Sequence, residues 1–237
     1  MSPISRRIFI VVLLLAGAGF VRLGFWQLDR LRERRQANRT AAQAQQASPL
    51  RLPEGLGSLS NPTNRRIEAV GRYDRANEIL VRGQVLNGLP GIHVVTPLRL
   101  DGSDTAVLVN RGFVPAPDAV TADTKGLDEE GRQPVAGVAL PMQEGGGRPI
   151  NRRGQVTWGR LDRQALAQQI PYPILPFYVL QVPDSALPTL PRRIAPPPLD
   201  DGPHLNYAVQ WFLFATMAVV FAIVVVARGN RMPRAPS

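Results

Sequence analysis

A run of 21 uncharged residues near the carboxyl end, Tyr207 to Ala227, is the feature that most constrains how this chain can fold. At about 1.5 Å per residue, an α-helix of this length spans the roughly 30 Å hydrocarbon core of a bilayer. Tyr207 and Trp211 stand at its beginning, where aromatic side chains favour the membrane interface. We therefore predict a transmembrane helix over residues 207–227.

A second apolar run begins at Ile8 and can continue, past Arg22, as far as Leu28. We predict a transmembrane helix over residues 8–28, in which the Arg22 side chain extends to the interface. A cleavable signal peptide is the alternative, because two arginines precede the run and small residues follow its most apolar part. If both helices span the membrane, the two chain termini lie on the same side.

The chain is basic, with 28 Lys and Arg residues, 18 Asp and Glu residues and a net charge of +10. All the acidic residues fall within residues 29–206, and the apolar runs are flanked by basic clusters such as Arg228, Arg231 and Arg234. Such clusters indicate anionic lipid and a cytoplasmic side. We expect both termini in the cytoplasm and residues 29–206 on the opposite side of the membrane, which in a bacterium means an inner-membrane protein with a periplasmic domain. We expect no nucleic-acid partner, because no basic face with interleaved aromatic residues is visible.

The segment between the two runs reads as a mainly β domain. Short apolar or alternating runs bounded by turn residues predict six strands: Arg65–Tyr73, Glu78–Arg82, Ile92–Leu100, Thr105–Val114, Pro134–Leu140 and Phe177–Val182. The Asp101-Gly102 pair predicts a hairpin turn. The predicted fold is a membrane protein in which two transmembrane helices flank a mainly β (α+β) extracytoplasmic domain, an antiparallel barrel or sandwich.

The rest of this segment has helix and loop signals. Good helix formers over residues 29–47 predict an extension of the first membrane helix. A short helix is predicted for residues 162–170, with its first residue, an aspartate, as N-cap. Gly, Pro and acidic residues predict loops over residues 115–133 and 141–155. Residues 183–203 hold seven prolines and are predicted to be an extended lead-in to the second membrane helix.

The composition excludes several kinds of chemistry. The chain has no cysteine, which rules out disulfides, thiolate metal sites and a cysteine nucleophile, and copper delivery is disfavoured because only four methionines are present. No zinc-protease or serine-hydrolase motif occurs, so a membrane-anchored periplasmic enzyme is disfavoured. Of the two histidines, His93 lies in a predicted strand and is interpreted as an ordinary surface or core residue.

His204 is the stronger candidate for a binding residue. It stands three residues before Tyr207, and a helix beginning at His204 would place Tyr207, Ala208 and Trp211 on the same face. A neutral imidazole beside interfacial aromatic rings suits an axial ligand of a haem at the membrane surface. An interfacial capping histidine is the alternative interpretation.

Polar residues also cluster near the corresponding end of the first predicted span. Arg22 and Trp26 are one helical turn apart, and Arg22 could pair with a haem propionate or simply reach the lipid headgroups. Gln27 and Gln210 lie near the two predicted outer interfaces, where polar side chains often join helices.

Five sequence segments occur in a recognisable order between residues 23 and 212. They are Leu23–Leu31 (LGFWQLDRL), Gly71–Asp74 (GRYD) with Glu78, Gly88–Gly91 (GLPG) with Val95–Leu98 (VTPL), Val107–Pro115 (VLVNRGFVP) and His204–Phe212 (HLNYAVQWF). Together with two terminal apolar runs, this series resembles the surfeit-locus-one (Shy-type) family of cytochrome c oxidase assembly proteins. Phe113 replaces a tryptophan usual in that family, and Pro203 replaces a common asparagine.

The resemblance implies an assembly factor, not an enzyme, that helps build haem-copper cytochrome c oxidase. It implies haem a as a transient cofactor, oxidase subunit I as partner and a haem a synthase as a further partner, besides membrane lipid. It carries haem binding, and ligation of the haem iron, onto His204. With this site we associate Trp211, Trp26 and Arg22 as residues that form or flank the pocket.

The resemblance also bears on the remaining alternatives. It favours retention of the first span, because Trp26 and Gln27 belong to the first motif. It gives Gly71, Tyr207 and the Asn-Arg-Gly residues 110–112 structural rather than chemical roles, and a glycine at position 71 is expected to allow a close backbone approach or a bulge. A membrane-anchored scaffold that stabilises subunit I without binding haem is the alternative function.

Overall fold

Two long helices bracket nine strands, one short α-helix and one 3-10 turn (Arg75–Asn77) within residues 3–55, 62–145 and 147–230, which the computed structural model describes. In chain order the elements are α1 (Pro3–Gln46), β1 (Leu50–Leu52), β2 (Arg66–Tyr73), β3 (Ile79–Leu86), β4 (Leu89–Leu100), β5 (Ala106–Pro115), β6 (Gln133–Pro141), β7 (Pro149–Arg152), β8 (Gln155–Trp158), α2 (Arg163–Gln169), β9 (Ile174–Gln181) and α3 (His204–Asn230). The helical ends and the β domain form two compact units, residues 1–40 with 199–237 and residues 41–198.

Both long helices contain a stretch that is long and apolar enough to cross a membrane. Helix α1 continues from its apolar half into the Ala- and Gln-rich stretch, which confirms the predicted extension, and it ends just before Ser48-Pro49. Helix α3 begins at His204, where the backbone N–H of Tyr207 donates to the Pro203 carbonyl over 3.1 Å. A proline immediately before a helix costs no internal hydrogen bond. The proline at position 203, where an asparagine is common in the resembled family, is therefore compatible with a helix that begins at His204.

Within the helical unit, small residues line the contact between α1 and α3. Gly17 lies opposite Ala218, and Gly24 lies opposite Phe212, whose ring would be 2.6 Å from a Cβ added at Gly24. Because Gln27, further along α1, meets His204 at the start of α3, the two apolar stretches run antiparallel. Small residues of this kind let helices approach closely where no hydrophobic effect drives them together.

The polar part of α1 holds the residues that lead into α3. Arg35 forms a 2.9 Å ion pair with Asp201, and the side chains of Arg34 and Asn38 both donate to the Asp200 carbonyl. Other arginines of this stretch pair with acidic residues one turn away on α1 itself. These surface pairs are individually weak, but they connect the two helices beyond their apolar stretches.

In the β domain, β2, β6, β9, β5 and β4 pair in that order, and β2 also pairs with β4, which closes a five-stranded barrel. The predicted barrel is therefore found, and the sandwich is not. The predicted antiparallel arrangement holds for most strand pairs, but β5 pairs with β9, β1 with β2 and β3 with β8 in parallel. The chain returns from β5 to β9 through several intervening elements, which is the kind of long connection that parallel pairing needs.

All six predicted strands form, with ends shifted by up to four residues, and the Asp101-Gly102 hairpin joins β4 to β5. Helix α2 begins after Asp162, whose carboxylate accepts from the backbone N–H of Ala165 as the predicted cap. Residues 115–133 are irregular up to β6, and residues 183–203 form neither helix nor regular strand, as predicted.

The loop predicted for residues 141–155 is wrong over much of its length, because the β7–β8 hairpin lies there. Arg153 and Gly154 both have positive φ and form its two-residue turn. All four β7 side chains are exposed, so no alternation of apolar and polar residues marks the strand. The three-residue strand β1 was also missed, since it is too short to show a pattern.

Within the described residues, three apolar cores lie inside and around the barrel, and the smallest consists of Leu80, Ile92, Val94, Val114, Ala116 and Leu127. Alternating residues of the five barrel strands fill the interior together with β1: Leu50, Leu52, Ile67, Ala69, Leu98, Leu100, Val107, Val109, Val135, Ala139, Leu175, Phe177 and Val179. The second core lies between the outer face of β3, β4 and β5 and the α2–β8 region: Ile79, Val81, Val95, Leu108, Met142, Trp158, Leu161, Leu166 and Ile170. Neighbouring residues such as Leu108 and Val109 thus belong to different cores, as the two-residue period of a strand requires.

Candidate functional site

The first residue of α3 is connected to α1 by a side-chain hydrogen bond. His204 Nδ1 lies 2.9 Å from Gln27 Oε1. An amide oxygen can only accept, so Nδ1 of the imidazole is a donor, and in the neutral ring Nε2 then keeps its lone pair. Within the described parts of the chain, Nε2 has no hydrogen-bond partner. This neutral tautomer is the form in which an imidazole ligates a metal.

Gln27 reaches His204 from the face of α1 that packs on α3. The Gln27 residue is 9% exposed, and Gly24 and Leu31, one turn before and after it, are also buried. On α3, Ala208 is 1% exposed and His204 is half-buried. A polar side chain among small and apolar residues at a helix contact is stabilised mainly by a hydrogen bond to a specific partner. For Gln27 that partner is the His204 imidazole.

An aromatic group lies about two turns along α3 from His204. Trp211 stacks on Phe20 of α1 with 5.8 Å between ring centroids and an interplanar angle of 23°. Phe25 and Phe212 make an edge-to-face pair at 5.4 Å. The predicted site residue Trp211 is therefore part of the helix–helix contact, on the side of α3 that also bears His204.

Arg22 and Trp26 lie together in an open groove of about 680 Å³ on α1 that they share with Ala18 and Asp29, among others. Trp26 is 49% exposed, and the Arg30 guanidinium lies 5.8 Å from its ring centroid. No hydrogen bond, ion pair or ring contact joins either residue to His204 within the described ranges. The structure thus unites His204 with Gln27 and sets Arg22 and Trp26 on an exposed face of α1.

In the β domain, the Asn-Arg-Gly motif contributes a buried arginine. Arg111 is fully buried, and its guanidinium lies 2.7 Å from Glu129 Oε1 and 3.3 Å from Glu78 Oε2. Arg193, 3% exposed in its side chain, pairs with the same Glu129 and donates to Gln181 Oε1 over 3.1 Å. The part-exposed Arg75 also lies 3.8 Å from Glu78 Oε2 and pairs with Asp128, so three cations and three anions of the described chain balance in this cluster, as a buried ionic network requires.

This cluster also explains how the proline-rich segment is held. Arg193 belongs to that segment, and its neighbour Arg192 exchanges two backbone hydrogen bonds of 2.8 Å with Phe113 of β5. Gly112, with φ of +124°, lets the Arg192 carbonyl approach where a Cβ would collide. The structural role expected for residues 110–112 is thus accounted for by an ionic network and a close backbone contact.

Gly71 has the backbone role expected from the sequence. A Cβ at this position of β2 would collide with the Arg99 carbonyl of β4. Gly71 pairs with Leu100 at the point where β2 and β4 meet to close the barrel. Sequence reasoning missed the role of Gly91 in β4, where a Cβ would collide with the buried Phe113 ring. The signal was available, because a glycine inside a strand often marks a close approach of neighbouring groups.

Comparison with known proteins relates most of the chain to one protein family. The sequence model of the SURF1 family matches residues 14–216, from the apolar half of α1 to that of α3. A SURF1-like protein of Monosiga brevicollis is 27% identical over 235 residues, covering 88% of this chain and 84% of the relative. A SURF1-like protein of Rickettsia felis is 25% identical over 224 residues, covering 90% and 95%. Surfeit locus protein 1 of Takifugu rubripes is 30% identical over 142 residues, covering 53% and 59%.

Proposed function

This chain belongs to the SURF1 family, and we propose on that premise that it is a membrane-anchored assembly factor for haem-copper cytochrome c oxidase. Family membership supports an assembly role of the SURF1 type. The finer proposal is that the protein, which is not an enzyme, binds haem a through His204 and assists its insertion into oxidase subunit I. The observation that carries this proposal is the His204–Gln27 hydrogen bond.

Anchoring in the bacterial inner membrane is supported by the two apolar helices. The exposed side chains of their apolar stretches are almost all large hydrophobic residues, which suits lipid contact. Antiparallel packing puts the first residues of α1 at the same end as the last residues of α3, as two spans with both termini in the cytoplasm require. Of the basic residues after the second run, Arg228 lies in the last turn of α3, and Arg231 and Arg234 lie outside the described residues.

The residues around His204 fit a haem group. The Nε2 lone pair is free to ligate, the ring is half-buried, and Trp211 and Phe20 supply apolar surface nearby. Haem a, as cargo, would supply the iron that accepts this lone pair. Gln27 would hold the imidazole in the ligating tautomer, and Arg22, which has no acidic partner among the described residues, would offer a cation to a propionate.

The proposal is tested by absorption spectra of detergent-purified full-length protein from a host that makes haem a. We expect a haem spectrum for the wild type and its loss, or a changed ligand spectrum, in His204→Ala. His93→Ala is the matched control, because it removes the other histidine from a part of the chain remote in sequence. An unchanged spectrum and haem stoichiometry in His204→Ala would remove haem ligation by this residue.

A scaffold that stabilises subunit I without haem is the second candidate. It is favoured by the exposed apolar residues Val85 and Leu89 beside the β3–β4 turn, which are 69% and 58% exposed and suit contact with another protein. If this function is correct, subunit I co-purifies with the protein while the preparation stays free of pigment. A haem a synthase that co-purifies instead would support delivery of haem.

A further inference from the structure

A cavity of about 340 Å³ lies against the outer face of the barrel. Strands β3, β4, β5 and β9, the residues that follow β8 and part of the proline-rich segment contribute to its lining. Val95 and Leu161 belong both to this lining and to the second apolar core. The cavity therefore continues a packed core into an open space, which is a usual setting for a small-molecule site.

A chain of hydrogen bonds fixes the orientation of His93 at this cavity. The backbone N–H of Gly112 donates to Asn110 Oδ1 over 3.0 Å, so the amide of Asn110 presents its NH₂ group on the other side. That group lies 3.2 Å from His93 Nδ1, which must then act as acceptor. The proton of the neutral ring is consequently on Nε2, and no described residue accepts it.

Burial keeps this ring uncharged. Loss of solvation lowers the pKa of the His93 imidazole to about 4, so the ring is neutral at physiological pH. Asn110 is 5% exposed, which leaves its amide little freedom to turn over. His93 thus presents its Nε2–H group to the cavity as a donor. The Gly112–Asn110 hydrogen bond orients the Asn110 amide, and that amide in turn orients the His93 ring.

Two further donors line the same cavity. Burial raises the pKa of the Tyr178 phenol, so its hydroxyl keeps its proton, and this hydroxyl has no hydrogen-bond partner among the described residues. Arg160 adds a cation; the nearby Asp162 carboxylate already accepts backbone hydrogen bonds from Ala165 and Gly147. Among the described residues that line the cavity, none is acidic.

We propose that this cavity binds a small carboxylic acid with an apolar body. The carboxylate accepts hydrogen bonds from His93 Nε2, the Tyr178 hydroxyl and the Arg160 guanidinium, and the apolar part packs on side chains such as Val95 and Leu161. A carboxylate fits because it is an acceptor only, whereas the ionisable side chains of the lining offer donors. An ammonium group of similar size would find no acidic partner there. This site is independent of haem binding at His204.

The test is direct titration of the full-length protein in lipid nanodiscs with 2-naphthoate, followed by isothermal calorimetry. The matched probe is 2-naphthylmethylammonium, which has the same ring system and the opposite charge. We expect saturable binding of one naphthoate per chain and no saturable binding of the ammonium compound. Equal binding of both probes would indicate partition into apolar surface and would overturn the proposal, as would no binding of naphthoate.

Naphthoate affinities of variants inside and outside the cavity show whether the probe binds at this site. Arg160→Gln is expected to weaken naphthoate binding at least about tenfold, and Tyr178→Phe about fivefold, from the usual strengths of charged and neutral hydrogen bonds. Arg163→Gln, three residues away on α2 and exposed, removes the same charge outside the cavity and should leave the affinity unchanged. His93→Leu should weaken binding, and His93→Gln, which can place an N–H near the former Nε2, should restore part of it.

Folding of each variant is checked by its thermal unfolding, because only folded protein bears on the site. Tyr178→Phe removes a single oxygen from a part-exposed residue, so it serves as the decisive variant if His93→Leu is unstable. Naphthoate affinity that is the same in wild type, Arg160→Gln and Tyr178→Phe would show that the probe binds elsewhere, and the proposal would then be wrong.

Discussion

His204 Nδ1 and Gln27 Oε1 are 2.9 Å apart, so a residue at the start of α3 is oriented by a residue on the inner face of α1. The two residues are 177 positions apart in sequence, and both belong to the helical unit. The bond assigns the imidazole proton to Nδ1 and keeps Nε2 for a ligand. If His204 ligates haem as proposed, Gln27 acts as a positioning residue, and its effect on haem binding should be separable from that of His204 itself.

Replacing Gln27 with leucine should lower haem affinity about tenfold to a hundredfold, the usual effect of losing the partner of a metal-bound histidine. The imidazole would remain, but its tautomer and orientation would no longer be fixed. Haem titration of purified full-length protein, followed at the Soret band, measures this effect. Gln210→Leu is the matched control, because Gln210 is exposed on α3. An equal loss in both variants would show that the effect is general destabilisation of the helices.

Cross-linking should report the helix pairing directly, because the chain contains no cysteine of its own. A Cβ added at Gly17 would lie 3.6 Å from Ala218 Cβ, within the range for a disulfide. Gly17→Cys combined with Ala218→Cys should therefore form an intramolecular disulfide in membranes treated with an oxidant, seen as a shift in gel mobility.

Gly19→Cys with Ala218→Cys is the control pair, since a Cβ at Gly19 has no neighbour within 4 Å. The same experiment distinguishes a retained first span from a cleaved signal peptide. If the first apolar run were removed from the mature protein, neither pair could cross-link, and the helix pairing described above would not exist in the cell.

Much of the fold followed from periodicity in the sequence, and the rest did not for identifiable reasons. The apolar runs and the alternating strands carry local signals, so α1, α3 and the six main strands could be predicted. The parallel β5–β9 pairing is a property of connections between distant segments, which no local pattern contains. The exposed strand β7 lacks the alternation that reveals a strand with one buried face.

The candidate site was predictable only in part. The position of His204 at a helix start and its neighbourhood of aromatic residues were visible in the sequence. Its pairing with Gln27 rather than with Trp26, the adjacent residue, depends on the rotation of α1, and small residues at positions 17 and 24 set that rotation by their close contacts. The buried ionic network was not predictable. Glu129 lies in an irregular loop 18 residues after Arg111, and no strand periodicity indicates which residue its side chain contacts.

Removing the buried cation of that network should destabilise the β domain strongly. Arg111→Leu leaves two buried carboxylates short of a cation, because among the described residues Glu129 keeps only Arg193 and Glu78 keeps only the part-exposed Arg75 at 3.8 Å. We therefore expect a loss of about 3–5 kcal/mol in the free energy of unfolding. Arg132→Leu removes a surface ion pair with Asp101, and we expect it to cost less than about 1 kcal/mol. Urea unfolding followed by Trp158 fluorescence, with Trp26 and Trp211 replaced by phenylalanine, measures both.

A similar loss in the two variants would contradict a special role for the Arg111 cluster. Arg193→Leu provides an independent check, because Arg193 shares Glu129 with Arg111 from the proline-rich segment. We expect Arg193→Leu to be intermediate between the other two variants, since Arg111 would still neutralise Glu129.

The buried His93 should make stability depend on pH in a defined window. Its pKa is lowered to about 4 in the folded protein by burial, against an ordinary value of about 6.5 in the unfolded chain. The unfolded state therefore binds more protons between these values, so the free energy of unfolding falls as the pH is lowered from about 6.5 to about 4 and is fully retained above that range. The contribution is less than about 3 kcal/mol, because the ring is part-exposed.

The comparison that isolates this contribution is between wild type and His93→Asn, which keeps an acceptor for Asn110 and removes the titrating ring. Urea unfolding at pH 7 and pH 5 should show that the wild type loses more stability on acidification than the variant does. Asp118, whose pKa is held at about 2 by hydrogen bonds from Thr121 and Val120, does not titrate in this interval and leaves the comparison undisturbed. Equal pH dependence of the two proteins would mean that His93 is hydrated and protonates normally in the folded state.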